Sequence, residues 1–469
     1  MHLVKPTAKY FFFCVLLLLI CSTSFSQENS PFSRYGIGDV YPQQNIAARA
    51  MGGLGATVTN SQFINTINPA SYGSLGLVTY DFALSIDSRS LLSKTPVNKY
   101  KSVNFTPSYL TLGMPLTKPG NINGAALVFG LRPATRINYS IEEGSSIAYD
   151  SLGITDSLQT LHEGNGGLNQ VFLGIGKTWK NKKNPNNSFS LGFNAGYEWG
   201  TKFISNKVSF PSDSSYQTWY NSNSTDSTHF WGLFLNPGFM ASFTVGEKTD
   251  PISKLKNSYV LTVGASGTLE QKLDASRDLT RETFYYKDDG DIVAVDSVYR
   301  VGTLHGNITL PMSFNGGLML SNMLSNGPFS VKKWGIGVEY NFAQWSKYRD
   351  YGQPDKLNNS WFIRGGIEFS PNPLTGKGIL SNGIYRFGYY NGKDYINADG
   401  NGYKTQAFTL GYSFNLRKYH SYDRQFTMIN TALEFGKRGS TVNNITENFF
   451  KISVGLSLSD IWFIKRKYD

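Results

Sequence analysis

The stretch SFSLGFNAGYEWG, Ser188–Gly200, decides the fold. Its side chains alternate without a slip. Phe189, Leu191, Phe193, Ala195, Tyr197 and Trp199 fall on one face of an extended strand, and Ser190, Gly192, Asn194, Gly196, Glu198 and Gly200 on the other. A strand of a soluble sandwich alternates too, but its polar face meets bulk water and carries many Lys and Glu. Here that face is mostly Gly, Ser and Asn, which suits a confined lumen, while the aromatic face suits lipid. The split recurs in AFTLGYSFNL, where Phe408, Leu410, Tyr412 and Phe414 oppose Thr409, Gly411, Ser413 and Asn415. It recurs again where Phe450, Ile452, Val454, Leu456 and Leu458 oppose Lys451, Ser453, Gly455, Ser457 and Ser459.

Composition agrees with this reading. The 469 residues include 48 Gly, 28 Tyr and 32 Phe, only 16% are charged, and the mean hydropathy is -0.28. The start, MHLVKPTAKYFFFCVLLLLICSTSFSQ, has the basic residues Lys5 and Lys9, an apolar run from Phe11 to Ile20, and small residues Ser24 and Ser26 before Gln27. That is the order of a cleavable secretory signal, expected to span 1–26, and the run is too short to cross a bilayer as a helix. Ile20 precedes Cys21, so no lipoprotein box forms. Both cysteines, Cys14 and Cys21, lie in the signal, which excludes disulfides, thiolate metal sites and a Cys nucleophile from the mature chain. The formal charge of +11 becomes +9 once Lys5 and Lys9 leave. Export and the scatter of Lys and Arg argue against a nucleic-acid partner.

An exported, aromatic- and glycine-rich chain with period-two patterning is expected to be an all-β transmembrane antiparallel barrel in a bacterial outer membrane. Strands are expected near 75–91, 98–116, 122–140, 168–180, 187–209, 227–247, 257–273, 298–322, 334–347, 359–371, 382–395, 403–417, 425–438 and 447–464. Pro311 either divides 298–322 into two strands or marks a bulge in one. With both ends of the chain on the periplasmic side the strand number is even, which selects fourteen and a bulge. The connections 117–121, 181–187 and 247–256 are the short, periplasmic set; 141–167, 210–226 and 274–297 are the long outer loops. Trp179, Trp199, Trp334, Trp345, Trp361 and Trp462 fall near strand ends, where an interfacial girdle would place them.

Before the first strand runs ARAMGGLGATVTNSQFINTINPASY, Ala48–Tyr72. Its glycines do not make a phosphate loop, because no strand precedes them, no helix opens after them and no Lys-Ser/Thr pair follows. The order Gly36, then Arg49, Ala50, Gly52, Gly53, then Asn68-Pro69-Ala70 resembles the FadL-like outer-membrane family. NITLPMSFNGG (307–317), VEYNFAQWSKY (338–348) and SLSDIWFIKRKYD (457–469) are similar to its Leu-Pro, Trp-Ser and closing segments. The resemblance implies a fourteen-stranded barrel with residues 27–72 folded inward as a hatch and 73–469 as the wall. It implies passive uptake of small hydrophobic molecules such as long-chain fatty acids, through movement of the hatch or a lateral opening in the wall. The polar character of 141–167 and 274–297 departs from a loop that gathers acyl chains.

In a hatch, Gly52, Gly53 and Gly55 let the backbone turn and approach the wall closely, with Asn68, Pro69 and Ala70 as the junction. IAARAM offers one short helix. Phe32, Tyr35, Ile37 and Val40 are the candidate ligand contacts; their alternative role is packing the plug. Glu198, Glu339, Arg364, Glu368, Arg386, Glu434 and Lys451 share the lumen-facing phase. An inward Arg or Lys could take a carboxylate ligand; mutual pairing, or holding the hatch, is the favoured role because buried charges need partners. His162, His229, His305 and His420 are isolated and no hydrolase or metalloprotease motif occurs, so neither enzymatic activity nor a cofactor or metal is expected. Residues 287–296, KDDGDIVAVD, lack calcium-loop spacing and read as polar outer loop. The competing function is a non-transporting barrel that serves as subunit or interaction platform of an envelope machine for protein export or outer-membrane assembly. Outer-membrane lipid, a small hydrophobic ligand and envelope proteins are the partners these readings call for.

Overall fold

A computed structural model describes residues 30–117, 121–149, 154–210, 220–251, 255–287, 291–326, 329–374, 378, 380–398, 400–416 and 426–460. The signal segment and Trp462 lie outside them. Fourteen antiparallel strands close into one barrel. They are β1 Val78–Lys94, β2 Val97–Pro115, β3 in two segments Gly124–Pro133 and Thr135–Tyr149, β4 Ile154–Lys180, β5 Ser188–Ser209 and β6 Asn221–Thr249. Next come β7, in two segments Lys256–Thr268 and Gln271–Tyr286, and β8, in two segments Ile292–Leu310 and Ser313–Asn326. The circuit ends with β9 Phe329–Ala343, β10 Ser360–Phe369, β11 Ile384–Ala398, β12 Asn401–Asn415, β13 Phe426–Arg438 and β14 Ile445–Asp460. Closure is the β1–β14 ladder from Val78↔Asp460 to Ser93↔Ile445. Closing the sheet satisfies the backbone amides and carbonyls inside lipid, which an open edge cannot do.

Pro311 interrupts β8 rather than dividing it. Its two segments face the two segments of β7 in one continuous register, Gln271↔Leu310 on one side of the break and Thr268↔Ser313 on the other. The expected faces hold: Phe189, Leu191 and Phe193 are 43%, 45% and 39% exposed, while Asn194 and Glu198 are 0% and 1% exposed. Trp179 at the end of β4, beside Phe189 of β5, and Trp199 and Trp231 further out all face lipid. Ten residues separate Phe189 from Trp199, about the span of a tilted strand across the hydrocarbon core (roughly 9–11 residues).

Three expectations are corrected. The described residues of 141–167 and 274–297 are not polar outer loops; they are the outward continuations of β3, β4, β7 and β8, paired from Ile137↔Gly166 to Tyr149↔Ile154 and from Gln271↔Leu310 to Tyr286↔Ile292. Above the membrane both faces of a strand are wet, so the apolar alternation fades while the ladder continues. For the same reason β6 begins at Asn221, inside the expected 210–226 loop, and 292–296 of the acidic segment are strand. Trp345 is not in the girdle: it stands in the inward-folded connection between β9 and β10 and stacks on Tyr395 with ring centroids 4.6 Å apart.

The wall is interrupted between β2 and β3. β2 and β3 pair only from Leu110↔Leu131 to Pro115↔Ala126. Beyond Pro133 the chain of β3 turns inward, and Thr135 and Arg136 pair instead with Val40 and Asp39 of the hatch. Arg136 Nη1 donates across the resulting gap to Thr106 Oγ1 at 3.0 Å.

Candidate functional site

Residues 30–77 fill the lumen. Asn45 caps the short helix Ile46–Arg49 by accepting from Ala47 N at 2.8 Å, and its Nδ2 donates to Asp81 of β1 at 2.5 Å. The helix is the one expected from IAARAM. Gly52 and Gly53 follow with φ of 71° and 80°, left-handed conformations that an L side chain rarely adopts. Gly52 N donates to Thr409 Oγ1 at 2.8 Å, and that hydroxyl donates back to Ala50 O at 2.9 Å. Gly55 N and Ala56 N both donate to Glu339 Oε2, at 2.6 and 2.7 Å. The glycine-rich turn therefore does cradle an anion, and the anion is a carboxylate of the barrel wall.

The junction works in the same way. Asn68 Oδ1 accepts from Ala70 N at 3.1 Å, starting the 3-10 helix Pro69–Ser74, while its Nδ2 reaches Ala56 O at 2.6 Å and Phe239 O at 3.0 Å. Pro69 occupies the first turn, where a missing N–H costs nothing.

The wall supplies the matching surface. Inward glycines stand where the hatch touches β5, β7, β10, β11 and β12: a Cβ on Gly192 would overlap Pro69, one on Gly264 Ala56, one on Gly366 Met51, one on Gly388 Gly52, and one on Gly411 Ala50. At the first four of these the obstacle is hatch backbone. Sequence reasoning credited the hatch glycines and missed this ring. Its signal was visible as glycine recurring in the lumen phase, but no periodicity states the height at which each strand carries it.

Each expected lumen charge faces inward and has a partner. Glu339 holds the hatch amides, and Arg364 donates to Gly52 O at 3.0 Å and also to Asn341. Glu368 pairs with Arg386 at 3.3 Å and with Lys332 at 2.7 Å. Glu434 takes Arg49 of the hatch at 3.4 Å and the Tyr390 hydroxyl at 2.7 Å; Lys451 lies 3.7 Å from Asp87. Gln170 donates to Glu198. Sequence gave no notice of the second anchor, Asp39, which joins Arg89 of β1 at 2.9 Å and Arg438 of β13 at 2.8 Å, with Asp394 also on Arg438.

Of the candidate ligand contacts, Phe32 and Ile37 are 2% and 1% exposed in an apolar cluster with Tyr348, Leu357, Tyr395, Ile396 and Tyr403 that closes the outer half of the lumen. Phe32 meets Tyr403 edge-on at 5.0 Å and lies under the Arg438 guanidinium at 4.8 Å. Tyr35 packs against the cluster, and Val40 is 47% exposed. Between this cluster and the hatch helix remains a cavity of about 390 Å³, bordered by Ile37 and Val40. Its lining includes seven basic side chains (Arg49, Arg89, Arg132, Arg136, Arg364, Arg438, Lys451) and six acidic ones (Asp39, Asp87, Glu198, Asp394, Glu434, Glu447).

Two measurements follow from these anchors. Glu339→Ala leaves the Gly55 and Ala56 amides buried without an acceptor, each costing about 1–3 kcal/mol; hydrogen exchange at those two amides should rise sharply while the barrel amides stay protected. For Asp39, burial raises the carboxyl pKa, but Arg438 and Arg89 together outweigh it and hold the group below the ordinary carboxylate range. Its stabilisation is thus present above the unfolded pKa of about 3.9 and is lost only as pH falls through the lower folded value. The protection factors of the amides in 38–41, corrected for the pH dependence of intrinsic exchange, should be flat from pH 7 to 5 and fall only in stronger acid. Asp39→Asn should lower them at neutral pH by an amount equivalent to about 1.5–3 kcal/mol, the worth of hydrogen bonds to charged groups.

With this geometry in hand, the chain can be set beside known proteins. No curated protein matches it. Among solved structures, the toluene transporter TbuX of Ralstonia pickettii is similar at a TM-score of 0.51 and 13% identity, over 89% of this chain and 99% of that one. The CymD monoaromatic hydrocarbon channel gives 0.48 and 12% over 91% and 99%, and a Pseudomonas aeruginosa FadL homologue 0.46 and 13% over 90% and 99%. At such identity the likeness to TbuX extends to the fold alone, a closed antiparallel β-barrel. The sequence model of the BamG family matches residues 8–469. This chain belongs to the BamG family.

Proposed function

We propose that this barrel is a non-transporting outer-membrane subunit, an interaction platform of an envelope machine for protein export or outer-membrane assembly. The supporting observation is the lumen: a hatch seated backbone-to-backbone on the wall, and beyond it a cavity bordered by thirteen charged side chains. An acyl chain or aromatic ring crossing that space would separate ion pairs and strip hydration from buried charges, a cost that apolar contact does not return. A closed, rigid barrel instead offers outer extensions of β3 to β8 as a fixed surface. Affinity purification of the tagged full-length protein from cross-linked outer membranes tests this; stoichiometric envelope partners are expected, and their absence counts against it.

One observation favours the other reading, hatch-gated passive uptake of small hydrophobic molecules such as fatty acids. The β2–β3 ladder is interrupted, and an interrupted wall is a way for an apolar molecule to pass sideways into lipid. In that case Phe32, Tyr35, Ile37 and Val40 would be the ligand contacts. The Arg136–Thr106 bond and the contact between the Tyr41 and Ser108 hydroxyls at 3.3 Å span this gap, which is why closure is the reading preferred.

A further inference from the structure

One end of the barrel carries a cluster of lysines outside the lumen. At the end where the chain enters β1 and leaves β14, the neighbouring turns β4–β5 and β6–β7 carry Lys177, Lys180, Lys182, Lys183, Lys248 and Lys256 against only Glu247 and Asp250. Lys256 pairs with Glu247 at 2.7 Å, and the other five lysines are exposed. The two turns form one surface, because Asn184 Nδ2 donates to Thr244 Oγ1 at 3.1 Å and to Glu247 Oε1 at 3.0 Å.

This basic surface continues the lipid-facing band without a break. Lys177 follows Leu173 and Ile175 on the outer face of β4, and its ammonium stands 5.0 Å from the Trp179 ring. Trp179 packs on Phe189 at 5.8 Å, and Phe189 on Phe239 at 5.5 Å. An aromatic patch of this kind sits at headgroup depth, and lysines beside it extend their ammonium groups to the phosphate layer. We propose that the Lys177–Lys183 turn and Lys248 form a binding surface for anionic phospholipid headgroups of the periplasmic leaflet. The occupant is lipid because Leu173, Ile175 and Phe189 present an exposed apolar face for acyl chains next to the lysines, so one molecule can meet both.

The test uses the full-length mature protein in phosphatidylcholine bilayers, with brominated-chain phosphatidylglycerol or phosphatidylcholine added at equal mole fraction. Quenching of Trp179 is isolated by difference against Trp179→Phe. Brominated phosphatidylglycerol should occupy the site with a preference of roughly tenfold at low salt, the effect of one or two lysines acting on a single anionic headgroup. The preference should shrink at 0.5 M salt, taken as roughly a 4 Å screening length. The turn variant Lys182→Gln/Lys183→Gln, confined to exposed residues, should reduce it, and adding Lys180→Gln and Lys248→Gln should abolish it. Equal quenching by the two lipids in the wild-type protein overturns the assignment and leaves the cluster to an acidic polypeptide. A preference that survives both the salt titration and the substitutions overturns it as well.

Discussion

A mature chain lacking residues 30–65 should insert as a heat-resistant barrel that conducts ions, whereas the full-length protein should not. The wall makes its own backbone ladder from β1 round to β14, and the hatch is attached chiefly through wall side chains such as Glu339, Thr409, Arg364 and Asp81. Removing the hatch takes nothing from the lipid-spanning ladder apart from the Asp39–Val40 pairing beside the β2–β3 gap. The exposed lumen charges then gain water in place of hatch partners, which lowers the cost of leaving them unpaired. Planar-bilayer conductance and a heat-dependent gel shift read the two outcomes. Failure of the truncated chain to insert would make residues 30–65 part of the wall.

Gly388→Val should expel the hatch from a barrel that still forms. A Cβ there overlaps the backbone of Gly52, and neighbouring Gly366 is as tightly covered by Met51. Overpacking a core typically costs about 1–3 kcal/mol when flexible side chains yield; here the obstacle is backbone clamped by Thr409 and Glu339, so the cost should reach or exceed the top of that range. Arg49, 4% exposed in its seat, should become a trypsin site in the variant and stay protected in the parent. Gly365→Ala, one residue from Gly366 but with nothing nearer than 4.0 Å to its added carbon, is the control that should leave Arg49 protected. Protection of Arg49 in Gly388→Val would mean that the ring of wall glycines does not set the hatch position.

The parts of this molecule legible in sequence are those where lipid and lumen impose opposite demands on adjacent residues. Phe189 through Trp199 announces its faces because one meets hydrocarbon and the other a plug, and the even strand count kept Pro311 within one strand, although the expected bulge is absent and the register runs on unshifted. Where both faces are wet the signal disappears, so the outer parts of β3, β4, β7 and β8 looked like loops. The lumen phase of Glu339, Arg364 and Glu434 could be read, but not their partners. Gly55 and Glu339 are 284 residues apart, and Arg49 and Glu434 385. Such contacts depend on strand register and height, which period-two patterning does not carry. Asp39 is the clearest case: a lone acid in sequence, it joins β1 and β13 through Arg89 and Arg438 only once the barrel has closed.

The account rests on a lumen closed to apolar molecules. The direct measurement is accumulation of labelled palmitate and labelled toluene by cells lacking the protein, compared with cells in which it is restored. Uptake of both compounds should be the same in the two strains; a loss in the deletion strain that the restored protein repairs would contradict the closed lumen and establish the barrel as a channel.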